Sequence, residues 1–147
     1  MRRREAIISC GALLGTAFAA RSGESAPWAF NAPRGDGYLI DLVSVDPAPG
    51  TALTPGSKVT FRVTVRYQLS VTNSGYIVLV FQDEEDSSAK DNAPQAMQAV
   101  VGPAGVVTLT DTIYVPRSKE LVLFVPLVPD GMKRTTGEVT IRYPLKK

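Results

Sequence analysis

The segment from Lys58 to Leu69 carries the longest alternation in the chain. Val59, Phe61, Val63, Val65, Tyr67 and Leu69 share one parity, and Lys58, Thr60, Arg62, Thr64, Arg66 and Gln68 the other. A helix would scatter these side chains around its circumference, whereas an extended strand gathers each set on one face. The apolar set is β-branched or aromatic apart from Leu69, which suits a pleated, half-buried surface. At about 1.5–3 kcal/mol per buried side chain, one such face represents on the order of 10 kcal/mol of gross burial before conformational entropy is set against it. The segment is a scaffold strand.

The rest of the chain repeats the theme in shorter units. Tyr38 to Val45 alternates but slips between Ile40/Leu42 and Val43/Val45, which predicts a β-bulge. Asp46-Pro47-Ala48-Pro49-Gly50 and Thr54-Pro55-Gly56 are turn signals. Tyr76 to Phe81 is apolar throughout and predicts a central strand covered on both faces. Gln82 to Asn92 is a polar, acidic loop, and Gln95 to Val101 fits either a short strand or one helical turn opened by Asn92 and Pro94. After the turn Gly102-Pro103-Ala104-Gly105, Val107, Leu109, Ile113 and Val115 oppose Thr108, Thr110, Thr112 and Tyr114, with Asp111 an intruder on the apolar side. Leu121 to Val128 is nearly all apolar, and its Pro126 predicts an edge or an end of pairing. The turn Pro129-Asp130-Gly131 follows. A last strand then turns Val139, Ile141, Tyr143 and Leu145 inward and Glu138, Thr140 and Arg142 outward, with Pro144 again pointing to an edge. Short strands between Pro/Gly turns, with no long helical pattern, predict an all-β fold: a two-sheet antiparallel immunoglobulin-like sandwich of about seven strands.

The first 37 residues do not share this pattern. Residues 1–20 have the form of an export signal: Arg2-Arg3-Arg4, an apolar stretch from Ala6 to Leu14, and the small-residue site Ala17-Phe18-Ala19. The paired arginines fit either a twin-arginine or a general secretory signal. A lipid-modified Cys10 is disfavoured, because only Ala6 to Ser9 separate it from the charges. Residues 21–37, rich in Gly, Ser, Pro and Ala, read as a flexible arm or linker, and residues 38–147 as the sandwich. The expected destination is periplasmic or secreted, with no integral membrane segment after signal cleavage.

That division changes the meaning of the composition. The chain of 147 residues has sixteen Lys and Arg against fourteen Asp and Glu, one Cys and no His. The surplus charge lies in Arg2, Arg3 and Arg4 against Glu5, and the cysteine is Cys10. Beyond the signal, charge is balanced and no thiol remains, so disulfides and thiolate chemistry are excluded and neither nucleic acid nor an anionic membrane is favoured as partner. The lack of His removes the commonest general base and metal ligand. About 127 residues still suffice for one core without staples.

Three segments carry a resemblance. Val45-Asp46-Pro47-Ala48-Pro49-Gly50-Thr51, Leu53-Thr54-Pro55-Gly56 and Val59 to Tyr67 resemble the opening strands of bacterial immunoglobulin-like or fibronectin-III-like domains of exported proteins. The likeness is strongest over residues 40–69. It implies a scaffold and brings no catalytic residues with it. The cysteine pair of antibody domains is absent, and the single Trp, Trp28, falls in the arm instead of a central strand.

Candidate chemistry is sparse. Ser87-Ser88-Ala89-Lys90 has the S-x-x-K spacing of penicillin-recognising serine enzymes, but lacks the companion S-D-N and K-T-G motifs and a helix to carry it. Asp83, Glu84, Glu85, Asp86 and Asp91, with Asn92, supply hard oxygens of the kind calcium takes, though not at EF-hand spacing. Arg34-Gly35-Asp36 spells an integrin-type tripeptide, the rings of Trp28, Phe30 and Tyr38 could stack on sugars, and Arg62 and Arg66 share the polar face of the long strand. The expected function is non-enzymatic, without a cofactor: a binding or structural module whose partner is another protein. A calcium-assisted glycan-binding module and an accessory subunit of an exported complex are the alternatives.

Overall fold

The computed structural model describes residues 29–31, 38–83, 96–132 and 137–147. The expected export signal, most of the expected arm and all of the expected Gln82–Asn92 loop beyond Asp83 lie outside these residues. Nine strands are formed among the described residues: β1 (Ala29–Asn31), β2 (Leu39–Asp46), β3 (Lys58–Gln68), β4 (Ser74–Val78), β5 (Val80–Asp83), β6 (Met97–Val101), β7 (Ala104–Tyr114), β8 (Glu120–Pro129) and β9 (Gly137–Pro144). They make two antiparallel sheets, one ordered β2-β3-β7 and the other β1-β9-β8-β4-β6, with β5 also paired to β8. This is the expected immunoglobulin-like sandwich. Of the strands beyond the expected seven, β1 lies within the expected arm and pairs with β9, and β4 and β5 divide a single apolar run.

The long alternation does what its pattern requires. Phe61, Val63, Val65 and Tyr67 of β3 are buried against Ile77, Leu79 and Phe81, against Leu121, Leu123, Val125 and Leu127 of β8, and against Val139, Ile141 and Tyr143 of β9. Phe61 joins the layers, its ring 5.1 Å from Phe81 and 5.3 Å from Tyr143 in tilted and edge-on geometries. The bulge falls where the alternation slips, as a register shift between Leu42 and Ser44 that leaves Val43 unpaired and exposed. Residues 97–101 resolve the open alternative as a strand, paired to β4.

The structure departs from several expectations. Tyr76 to Phe81 is not covered on both faces: Ile77, Leu79 and Phe81 are buried, while Tyr76 is exposed and Val78 and Val80 are partly so. Of the two outcomes expected at Pro126, an edge or an end of pairing, the second holds: Pro126 sits within β8, between β9 on one side and β4 and β5 on the other, and pairing stops on the β4/β5 side. The register from β4 to β8 continues unchanged into β5 and would place Val78 opposite Pro126. Pro126 has no N–H to give there, so one strand is broken into two while pairing with β9 runs on through Glu138. Thr140, outward by parity, is buried instead, and its hydroxyl has no hydrogen-bond partner among the described residues.

The edge of β9 is closed by two different segments. β1 pairs with Val139, Thr140 and Ile141. Beyond them, the Gly50 N–H donates to the Arg142 carbonyl at 3.1 Å and the Leu53 N–H to the Pro144 carbonyl at 2.9 Å. The Pro/Gly-rich turn after β2 thus serves as a strap along the sheet.

Candidate interaction surface

The two outer faces of the sandwich differ in chemistry. On the smaller sheet, β3 presents Lys58, Thr60, Arg62, Thr64 and Arg66, beside Thr108, Thr110 and Thr112 of β7, with the exposed Val106 and Tyr114 at the two ends of that strand, and Asp41, Ser44 and Asp46 of β2. Thr60 and Thr112 join hydroxyls at 2.8 Å, as do Thr64 and Thr108 at 2.9 Å. Arg62 and Arg66 are exposed there, opposite Asp46 and Asp41 in register. Such a face is well served by water.

The larger sheet is the reverse. Cross-strand neighbours share a face, so the pairs Tyr76/Ala99, Val78/Met97, Tyr76/Val128 and Val80/Phe124 build one apolar surface across β6, β4, β5 and β8. Val101 is 74% exposed, Met97 61% and Tyr76 41%. Ala99 is exposed beside them, and Val122, Phe124 and Val128 are partly exposed. Polar groups rim the surface: the Arg142–Glu120 ion pair at 2.9 Å, and the Ser74 hydroxyl on the Asp130 carboxylate. An apolar centre with a polar rim, containing Tyr, Met and Phe, is the composition of a protein-binding patch.

The calcium candidates are not brought together among the described residues. Asp83 ends β5, in register with Leu121, and has an interaction partner. Glu84, Glu85, Asp86 and Asp91 lie outside the described residues, as do Ser87, Lys90, Trp28 and Arg34-Gly35-Asp36. No cluster of three His, Cys, Asp or Glu side chains occurs among the described residues. Among them, too, no helix is long and apolar enough to cross a membrane.

Sequence reasoning missed the apolar face. The signal was present in the unbroken runs Tyr76–Phe81 and Leu121–Val128, which imply that both faces of those strands seek cover.

No protein-family model and no curated protein matches the chain. Among solved structures it is similar to a Niemann-Pick type C2 protein from the Japanese carpenter ant, at 12% identity and a TM-score of 0.45, over 80% of this chain and 98% of that one. A likeness at this distance assigns neither ligand nor site.

Proposed function

We propose that this chain is an exported, non-enzymatic immunoglobulin-like module that acts by binding another protein through the outer face of its larger sheet. The observation that carries the reading is the contrast between the faces: on the smaller sheet charged and hydroxyl side chains cover β3, with Val106 and Tyr114 set apart along the β7 edge, while the larger sheet gathers Tyr76, Met97, Ala99 and Val101 into one apolar surface open to solvent. Export is supported by the Arg2-Arg3-Arg4 to Ala19 signal pattern, and a non-enzymatic role by the absence of His from the sequence. The order β2-β3-β7 against β9-β8-β4-β6 supports a fibronectin-III-like variant of the sandwich, because β6 stays in the sheet of β4 instead of crossing to the other as in antibody constant domains.

The test places a photo-crosslinking residue at Met97 or Val101, and at Arg62 as control, in the cell that makes the protein. Discrete adducts from positions 97 and 101 and none from 62 are expected. No adduct at either apolar position, or the same products from all three, refutes the assignment.

A further inference from the structure

Among the described residues the sandwich has four sheet edges, and three are protected. β1 has three residues and β6 five, too short for extended pairing, and β2 is bulged at Val43. β7 is different. It runs for eleven residues without a register shift, contains no proline, and among the described residues pairs only with β3.

The direction of its backbone groups follows from the hydrogen bonds at its end. Val115 N–H donates to the Ser57 carbonyl at 2.8 Å, and the Val115 carbonyl accepts from Gly56 N–H at 2.8 Å, so odd-numbered residues face β3. In an antiparallel ladder the intervening residues turn both groups the other way. Val106, Thr108, Thr110, Thr112 and Tyr114 therefore offer N–H and C=O groups to the open edge, and the same residues carry the exposed side chains, Val106 at 60% and Tyr114 at 67% exposure. One group is already engaged: Asp111 Oδ1 accepts the Thr112 N–H at 2.8 Å.

We infer that this edge is a homodimer interface, in which β7 of one copy pairs antiparallel with β7 of a second across a two-fold axis at Thr110. The strand is self-complementary in that register. Val106 meets the second copy's Tyr114, Thr108 meets Thr112, and Thr110 meets Thr110. β-branched against aromatic and threonine against threonine are favourable cross-strand pairs. Charge agrees as well, because β7 turns no charged side chain to its outer face, and the cations Lys58, Arg62 and Arg66 of each copy stay one strand back from the seam. Asp111 restrains the union. It is a charge on the inward parity of an edge strand, opposite the fully buried Phe61, and it holds the N–H that the second copy's Thr108 carbonyl needs.

Sedimentation velocity on the purified chain, from about 1 µM to about 1 mM, reads the association. Dimers are expected to form with concentration. Asp111→Ala should tighten the dissociation constant by about tenfold, since each copy gains a backbone bond. Thr110→Pro removes only an outward N–H and should abolish dimers, with the melting temperature reported alongside to show that it is folded. In a Cys10→Ser background, Thr110→Cys should oxidise to a linked dimer, because facing residues of a hydrogen-bonded pair have Cα atoms about 5.5 Å apart. Thr108→Cys alone should not. A monomer at every concentration for both wild type and Asp111→Ala overturns the inference, as does a dimer indifferent to folded Thr110→Pro or a Thr108→Cys chain that links as readily as Thr110→Cys.

Discussion

Tyr143 joins the core to the strap that closes the sheet. Its hydroxyl donates to the Pro47 carbonyl at 2.8 Å while its ring packs on Phe61. Burial, and secondarily the Asp46 carboxylate, hold the phenol protonated well above the ordinary tyrosine range. In the unfolded chain it ionises near pH 10. The folded state keeps its proton longer, so its contribution to stability is complete below about pH 10 and is lost as pH rises from there toward the folded value. Tyr143→Phe should cost about 0.5–1.5 kcal/mol at pH 7 through the lost hydrogen bond. It should also flatten the alkaline decline, which urea-denaturation midpoints at neutral and alkaline pH will measure. Gly75 shows a different constraint: a Cβ there would lie 2.7 Å from the Val128 carbonyl oxygen and 2.9 Å from Pro129 Cα, both backbone. Gly75→Ala should force β4 from β8 at a cost of about 1–3 kcal/mol, visible as a lower thermal midpoint. Neither role is legible in sequence, where Tyr143 is one more inward side chain and Gly75 one more glycine. By its sequence Gly105 belongs to the turn Gly102-Pro103-Ala104-Gly105. It lies within β7, where a Cβ would meet the Tyr67 ring at 2.9 Å and its hydroxyl at 2.8 Å.

At the scale of elements, alternation proved the dependable signal and punctuation the weaker one. β3 and β9 bury the residues their periodicity selects, and the slip in β2 marks its bulge. Pro126 ends pairing without making an edge: the missing donor is tolerated by breaking the neighbouring strand in two. Pro126→Ala should restore that donor and join β4 to β5. Hydrogen exchange should then show a protected amide at position 126, whereas an amide that exchanges as fast as one in a loop would mean the break has another cause. Asp111, conspicuous in the sequence as an intruder, becomes intelligible only when β7 is seen to be an edge.

At the scale of the molecule, the sequence disclosed two sheets but not which outer face would be dry. A continuous apolar run announces that both sides of a strand seek cover without saying whether this chain supplies it. Replacing Met97 and Val101 together by Glu should lower the binding of a hydrophobic dye and leave the thermal midpoint within a few degrees of wild type, since both side chains are already largely in solvent. A two-fold axis through the β7 seam stands perpendicular to the smaller sheet and turns both larger sheets to the same side. Two copies joined there would present their apolar faces in parallel, like two soles on one floor, and the partner's grip would gain avidity from a strand that never touches it.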